Sequence, residues 1–238
     1  MRKIVFFLFL VGFANVLNGE IRFTHRVDDY STHQPVLFEM AMRTEGPIIE
    51  FGCGNGSTDL LHEICKKNGR LLISIDDDFE WLQKFSQKYR GDGYEEDNSG
   101  WHKFFFVPGK NVNNHEDCGY WIHFLDNCQL LKETHFDLCF VDQSPWLARI
   151  ETIKRFKHKS RYIILHDCDF YPVHKVCGKT VKMTDYKNSI PGIYDFSDLL
   201  PHFKLYYPLH PWPLFSGPPT LLGSEFESDF PDINYNDY

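Results

Sequence analysis

The sequence predicts a doubly wound α/β fold built on a mostly parallel sheet of seven strands, and three observations carry this prediction. Short apolar runs alternate along the chain with longer segments of helical periodicity. These runs are continuously apolar, as is typical of strands that are buried on both faces of a sheet. The length of 238 residues and the hydrophobic content of 42% are sufficient for one substantial core.

The predicted elements follow one another in a regular order. A helix over "STHQPVLFEMAMRT" comes first, with Ser31 or Thr32 at its N-cap. The strand candidates are "PIIEF", "LLISI", "KFFFV", "FDLCFV" and "RYIILH". The helices between them are expected at Thr58–Lys67, Glu80–Tyr89, Tyr120–Lys132 and Ala148–His158.

The last part of the chain departs from this alternation. Two strand candidates, "FKLYYPL" and "PPTLLGS", are joined by "HPWPLFSG", which is too short for a helix and therefore predicts an antiparallel hairpin. The final "SEFESDFPDINYNDY" contains five acidic and no basic residues, so a flexible tail is expected over residues 225–238. A single domain is accordingly predicted over residues 20–224.

Residues 1–19 have the order of a signal peptide. Arg2 and Lys3 precede an apolar run from Ile4 to about Leu17, and small residues follow up to Gly19. The run is short for a membrane span, so no stable transmembrane segment is expected. An N-terminal helix of the fold is the alternative interpretation. The sequence favours a protein that is secreted or resides in the lumen of the secretory pathway.

Charge and cysteine content argue against several classes of protein. The formal charge of −8 and the pI near 5.8 disfavour nucleic acid as the main partner. Seven irregularly spaced cysteines are unlike the disulfide framework of a small secreted module. Cys139 lies in an apolar run and is expected to be a buried thiol, whereas a Cys168–Cys177 disulfide stays an open alternative.

A glycine loop in "GPIIEFGCGNGSTDLLHEIC" indicates a binding site. Gly52, Gly54 and Gly56 lie between a predicted buried strand and a helix, where main-chain N–H groups can face a ligand. The spacing differs from the GxGxxG of dinucleotide-binding folds, which disfavours a nicotinamide oxidoreductase. Glu50, two residues before the first glycine, suits the ammonium or hydroxyl groups of a ligand better than a pyrophosphate.

In these motifs the chain resembles the class I S-adenosylmethionine-dependent methyltransferases, whose first motif is an acid followed by GxGxG. The resemblance extends over "EFGCGNG", "LISIDDD", "FVDQSP", "ILHDCD" and the closing hairpin. It implies a Rossmann-like methyltransferase fold with S-adenosylmethionine as the cofactor. The glycine loop would border the methionine part, and Asp76, with Asp77 next to it, would bind the ribose hydroxyls. The implied cofactor-binding residues are Glu50, Gly52, Gly54, Gly56, Ser57, Asp76 and Asp77.

Three further stretches of sequence resemble particular groups within these methyltransferases. "THQPVL" is similar to the THxPVL helix of a group of small methyltransferase-like proteins that also carry HD at the end of strand five. "VDQSP" and "ILHDCDFYPV" resemble the VDAP-type and HDxDxxPV-type stretches of plant glucuronoxylan O-methyltransferases, although Gln143 and Ser144 interrupt the first. The resemblance implies O-methylation of a glycan or small hydroxylated molecule. A methyltransferase-fold protein that binds a ligand without catalysis is the main alternative.

Catalytic residues are expected at the carboxyl ends of the fourth and fifth predicted strands, the side on which open α/β sheets bind ligands. Asp142, His166 and Asp167 fall there. His166 is the candidate general base because imidazole titrates near neutrality. Asp142 and Asp167 can orient a hydroxyl or, with Asp169 as a further candidate, hold a divalent metal ion. The structural alternative is that these acids cap helices or pair with Lys and Arg.

"ARIETIKRFKHKSR", residues 148–161, is a basic cluster in the sequence. Ile150, Ile153 and Phe156 recur in it at helical spacing. Its charged residues are therefore expected on a solvated helix face.

Overall fold

The computed structural model describes residues 31–110, 117–168, 196–207 and 218–235, together with the backbone of four short strands outside these ranges. The strands are β1 (Asn15–Leu17), β2 (Glu20–Arg22), β3 (Ile48–Phe51), β4 (Leu72–Asp76), β5 (His102–Phe106), β6 (Phe136–Val141), β7 (Ser160–Leu165), β8 (Val173–Val176), β9 (Lys179–Lys182), β10 (His202–Tyr206) and β11 (Thr220–Ser224). The helices are α1 (Gln34–Arg43), α2 (Thr58–Asn68), α3 (Phe79–Lys88), α4 (Gly119–Asn127), α5 (Gln129–Glu133) and α6 (Trp146–Phe156).

Seven of these strands form one sheet in the order β10–β11–β7–β6–β3–β4–β5. The five strands from β7 to β5 are parallel, and Ile48 of β3 pairs with Leu72 of β4 and Leu138 of β6. Strand β11 is antiparallel to both β7 and β10. The predicted doubly wound, mostly parallel seven-stranded sheet with its antiparallel hairpin, the Rossmann-like methyltransferase fold, is confirmed. Residues 208–217, which join the hairpin strands, lie outside the described residues.

Helices cover both faces of the sheet, which explains why its central strands are continuously apolar. One face packs against α4, α5 and α6 through a cluster that includes the fully buried Phe51, Trp121 and Phe156. The other face packs against α1 and α2, where Leu37 and Leu61 are fully buried. The carboxyl ends of the parallel strands are therefore held by a packed core on each side.

Every helix differs from its predicted bounds by at least one residue, and two of these differences have a clear structural reason. The helix predicted over Tyr120–Lys132 is divided into α4 and α5, because Cys128 between them has an extended backbone with φ −73° and ψ 108°. Helix α1 has His33 at its N-cap rather than the predicted Ser or Thr, and no side chain caps it. The hydroxyl of Thr32 is unavailable because it donates to the carbonyl of Pro218, 2.8 Å away.

The described part of the acidic C-terminal segment, for which the sequence predicts flexibility, packs against the domain. Tyr235 is 3% exposed, and its hydroxyl donates to the carbonyl of Thr32 at 3.2 Å. The carbonyl of Pro231 accepts a hydrogen bond from Tyr206 at 2.7 Å. The predicted signal peptide, apart from β1, lies outside the described residues, and it and the domain boundaries stay predictions. Among the described residues, no helix has the length and apolar character needed to span a bilayer.

Candidate functional site

The glycine loop follows β3, and its first and last glycines pack closely against other parts of the chain. Gly52 has φ +89°, and a Cβ there would lie 2.7 Å from the carbonyl carbon of Asp142. A side chain at this position would therefore be strained and would collide with the main chain after β6. A Cβ on Gly56 would lie 3.3 Å from the ring of His33. These two glycines allow the loop to pack closely against the elements beside it.

Gly54 has no such internal reason to be glycine. Its φ is not positive, and a Cβ there would meet only Ser57 Oγ at 3.5 Å and Gly56 N at 3.9 Å, which are ordinary contacts. The protein as it stands could accommodate a side chain at this position. A glycine without a steric reason inside the protein is typical of a place where a ligand approaches the main chain. Ser57, also predicted to bind the cofactor, is 1% exposed.

Glu50 is fully buried and supports the loop from behind. Its Oε2 accepts hydrogen bonds from Thr58 Oγ1 at 3.0 Å and Ser74 Oγ at 2.8 Å. Thr58 Oγ1 in turn accepts from Gly54 N at 2.9 Å. Burial raises the pKa of Glu50 to about 8, although hydrogen bonds from hydroxyl groups act against this shift. The carboxyl group therefore holds the loop in place through Thr58, and it is largely protonated at neutral pH.

Asp76, at the end of β4, also binds the loop. Its Oδ2 accepts from Cys53 N and its Oδ1 from Asp78 N, both at 2.7 Å. Trp81 Nε1 donates to the carbonyl of Cys53 at 2.6 Å, so Cys53 is held through both of its main-chain polar groups. Burial raises the pKa of Asp76 to about 6, against the backbone hydrogen bonds that favour its charged form. Asp76 thus lies beside the glycine loop, and its contact with a ribose stays a prediction.

Asp77 makes a separate set of contacts. Its Oδ1 accepts from Lys110 Nζ at 3.0 Å, and its Oδ2 accepts from the hydroxyl of Tyr120 and from Trp121 Nε1. Asp77 is 7% exposed. These contacts connect the end of β4 to α4.

The three predicted catalytic residues converge after β6 and β7. His166 Nδ1 lies 3.2 Å from Asp142 Oδ1, and His166 Nε2 lies 3.2 Å from Asp167 Oδ1. Thr32 Oγ1 also lies 3.2 Å from His166 Nε2. The side chains of Asp142 and Asp167 are 25% and 24% exposed, whereas that of His166 is 2% exposed. The two carboxylates can therefore meet a ligand, with the imidazole behind them. Asp169, the further metal candidate, lies outside the described residues.

The three residues of this cluster have their pKa values shifted by burial and by one another's charges. Burial alone would raise the pKa of Asp142, but the positive charges of His166 and Arg149 hold it well below its usual value. Burial would lower the pKa of His166, yet Asp142 and Asp167 raise it above its ordinary value. Burial raises the pKa of Asp167, with His166 acting in the opposite direction. A charged imidazole is a poor general base, so this arrangement favours Asp167 over His166 for that role.

Arg149 is a part of the site that the sequence analysis missed. Its guanidinium donates to three main-chain carbonyls, those of Gln143 at 2.7 Å, His166 at 2.8 Å and Asp142 at 3.1 Å. It also forms an ion pair with Asp142 Oδ1 at 3.0 Å, and its side chain is only 10% exposed. The expectation that the charges of this helix lie on a solvated face is therefore wrong for Arg149. Its spacing of four residues from Ile153 on the apolar stripe was the available signal.

His33 is the second residue that the sequence analysis missed. Its ring is 2% exposed, and its centroid lies 4.4 Å from that of His166. Neither ring nitrogen has a hydrogen-bond partner among the described residues. Burial lowers the pKa of His33 to about 3, and the charge of His166 adds to this effect, so the ring is neutral. The only signal in the sequence was its position in "THQPVL", a stretch to which the resemblance assigned no chemical role.

Known proteins with a similar fold were found only among solved structures. No protein-family model matches the chain, and no curated protein matches it. An rRNA methylase from Streptococcus thermophilus has a TM-score of 0.43 and 14% identity, over 78% of this chain and 90% of that one. A spermidine synthase from Thermotoga maritima has a TM-score of 0.47 and 13% identity, over 85% of this chain and 62% of that one. The N-terminal domain of EvdMO1 with SAH bound has a TM-score of 0.45 and 12% identity, over 84% of this chain and 82% of that one. Similarities this low give no information about the substrate of this protein. The fold assignment rests on the strand order and register described above.

Proposed function

We propose that this protein is an S-adenosylmethionine-dependent methyltransferase that acts on a hydroxyl oxygen. The observation that carries the proposal is Gly54, which neither its backbone angles nor its neighbours require to be glycine. A ligand that lies directly against the main chain of the loop supplies the missing reason. The order of the acidic residues also matches the motifs of the methyltransferases that the sequence resembles. One acid precedes this loop, one ends β4, and the carboxylates follow β6 and β7.

The residues around the loop fit this cofactor. In the proposal, the main chain of residues 52–56 lies against its amino-acid part, and Asp76 and Asp77 lie toward its ribose. A glycine loop lets a ligand lie close to the main chain, and buried acids suit hydroxyl groups. When bound, S-adenosylmethionine supplies a methyl group on a positively charged sulfur.

The acceptor side is assigned to the two carboxylates that are partly exposed. Asp142, kept ionised by Arg149 and His166, accepts a hydrogen bond from the acceptor and positions it. Asp167 takes the proton that the acceptor hydroxyl loses, since burial has raised its pKa. His166 lies behind both and positions them. Neighbouring carboxylates are typical partners of sugar hydroxyls, and we accordingly propose a glycan or a small hydroxylated molecule as the acceptor.

We also propose that the reaction takes place in the secretory pathway or outside the cell. The support for this location is the order of charged, apolar and small residues in the first nineteen positions. Mass spectrometry of the native protein would test it, since removal of the signal peptide predicts an N-terminus near residue 20. An intact Met1 in a cytosolic fraction would contradict it.

Calorimetric titration with S-adenosylhomocysteine and with NAD tests the cofactor. The wild-type protein should bind S-adenosylhomocysteine. Gly54→Val should lose this binding while its melting temperature changes little, because a Cβ at this position makes only ordinary contacts. Gly52→Ala is the matched comparison, because it should lower the melting temperature through its positive φ and its contact with Asp142. Binding of NAD alone, or of neither ligand, would reject the proposal.

A transfer assay then tests the reaction. Labelled S-adenosylmethionine is offered with oligosaccharides, small phenols and alcohols, and structured RNA. Methylation of a hydroxylated small molecule or glycan supports the proposal. Labelled RNA would reject the proposed acceptor. S-adenosylhomocysteine binding without transfer to any acceptor would favour the alternative of a ligand-binding protein without catalysis.

A further inference from the structure

His33, Asp142 and His166 form a cluster that the proposed methyl transfer does not fully explain. Each offers one ligand atom, and these atoms all lie within 4.8 Å of one another. The three come from distant parts of the sequence: the N-cap of α1, the residue after β6 and the residue after β7. Such a set of two imidazoles and one carboxylate is a known ligand combination for divalent transition metals.

The unpartnered ring of His33 points to a missing ligand. A neutral imidazole has one N–H donor and one nitrogen acceptor, and leaving both without partners in a buried place costs free energy. The ring lies in edge-on contact with His166, and the main chain of Gly56 is near enough to favour its charged form, but neither ring nitrogen has a partner at hydrogen-bond geometry among the described residues. A metal ion bound to the unprotonated ring nitrogen of His33 would use its lone pair, for which the described residues offer no donor.

The surroundings of His166 suit a ligand role. Metal-bound histidines usually donate their other ring N–H to a carboxylate or a similar acceptor, which fixes the orientation of the ring. Here Asp167 Oδ1 lies 3.2 Å from His166 Nε2, on the ring edge opposite Asp142. Asp167 has φ +50°, a conformation that non-glycine residues adopt infrequently and that is often kept at functional sites. An ion at Nδ1 would take the place of the proton in the His166–Asp142 hydrogen bond.

The charge of the cluster is compatible with a divalent cation. A metal ion displaces the proton of His166, so both imidazoles are neutral in the metal-bound state. The two carboxylates and the Arg149 guanidinium then sum to one negative charge. A divalent ion together with a deprotonated hydroxyl would therefore be electrically balanced. Asp142 Oδ1 lies 3.2 Å from His166 Nδ1 and 3.0 Å from Arg149, so an ion between the carboxylate and the ring would be balanced in part by the guanidinium. Two nitrogen ligands favour Mn²⁺, Fe²⁺, Co²⁺ or Zn²⁺ over Mg²⁺ and Ca²⁺, which prefer oxygen.

We propose that His33, Asp142 and His166 bind one divalent transition-metal ion, with Asp167 as the outer partner of His166. This differs from the ligand set considered from the sequence, since His33 and His166 replace Asp167 and Asp169. The use of the ion, to bind the acceptor oxygen and promote loss of its proton, rests on the proposed function. Metal binding itself does not rest on it.

Titration of the purified wild-type protein with Co²⁺, followed by visible absorption and by the melting temperature, tests the site. One Co²⁺ per chain should bind saturably and raise the melting temperature, because the ion binds the folded state. The spectrum should lack a thiolate-to-cobalt charge-transfer band, since no cysteine belongs to the cluster. Absence of saturable binding, or a spectrum with thiolate ligation, would overturn the proposal without the need for any variant.

Variants then locate the ion. His33→Gln should weaken Co²⁺ binding by about a hundredfold or more, and Asp167→Asn by about tenfold to a hundredfold, because it removes only an outer partner. His135→Gln, at an exposed histidine, should bind Co²⁺ like the wild type. Unchanged binding in a folded His33→Gln protein would overturn the proposal. Parallel titration with S-adenosylhomocysteine separates the two proposals, since each ligand can bind or fail to bind independently of the other.

Discussion

At the scale of single residues, the buried carboxyl group of Glu50 makes the stability of the folded protein depend on pH. Its pKa is about 8 in the folded protein against an ordinary value of 4.5, because burial disfavours the charged form. A raised carboxyl pKa means that the folded state holds the proton more tightly than the unfolded state. The stabilising contribution is therefore fully present below pH 4.5 and is lost progressively as the pH rises to 8.

Glu50→Gln should remove this pH dependence. The amide oxygen can still accept the hydrogen bonds of Thr58 and Ser74, and the side chain stays neutral at every pH. We expect the variant to gain unfolding free energy relative to the wild type on going from about pH 5 to about pH 9, measured by urea denaturation. The difference between the two proteins isolates Glu50 from other titrating groups. A difference that does not change with pH would contradict the assigned burial effect.

Asp167 allows a test of catalysis with little change of structure. Asn adopts a positive φ more readily than most residues, so Asp167→Asn should keep the backbone at φ +50°. Loss of the proton acceptor should lower kcat by about a hundredfold or more, within the range of general-base contributions, with little effect on cofactor affinity. Single-turnover kinetics and calorimetry measure the two quantities. Full activity would show that this carboxylate is structural, and the acceptor site would then have to be sought elsewhere.

At the scale of elements, Arg149 joins α6 to the ends of β6 and β7. Removing its charge takes the donor from three carbonyls and one of two charged partners from the Asp142 carboxylate, and one broken buried ion pair typically costs about 3–5 kcal/mol. Arg149→Met should therefore lower the unfolding free energy by about that amount in urea denaturation. Lys154→Met, on the same helix with its side chain 54% exposed, should change it by less than about 1 kcal/mol. Equal effects of the two changes would contradict the role assigned to Arg149.

Helix α6 also shows which buried residues a sequence pattern can predict and which it cannot. Ile150, Ile153 and Phe156 predicted the buried stripe of α6 correctly, since helical periodicity is a local property. Arg149 lies on the buried side as well, but its charge suggests a solvated position. It is buried because the carbonyls after β6 and β7 require donors, and those acceptors come together only when the sheet forms.

At the scale of the whole molecule, the C-terminal segment closes over α1. Tyr235 belongs to the same apolar cluster as Val36 and Leu37, and its hydroxyl binds the carbonyl of Thr32. Tyr235→Ala should lower the unfolding free energy by about 3 kcal/mol, as expected for a large buried ring. Asp229→Ala, at an exposed position of the same segment, serves as the control and should have little effect. Equal stability of the Tyr235→Ala variant and the wild type in urea denaturation would mean that the segment contributes no packing.

Sequence alone determined the seven strands of the main sheet, its antiparallel ending, the glycine loop and the candidates Asp142, His166 and Asp167 at strand ends, because each of these is marked by a local pattern of residues. Only the tertiary structure decided that His33 stands beside His166, that Arg149 turns inward and that Glu50 holds the loop from behind. Thr32 and His166, in contact through a hydrogen bond, are separated by 134 positions. Contacts over such distances depend on how the sheet brings strand ends together, and no local periodicity records them.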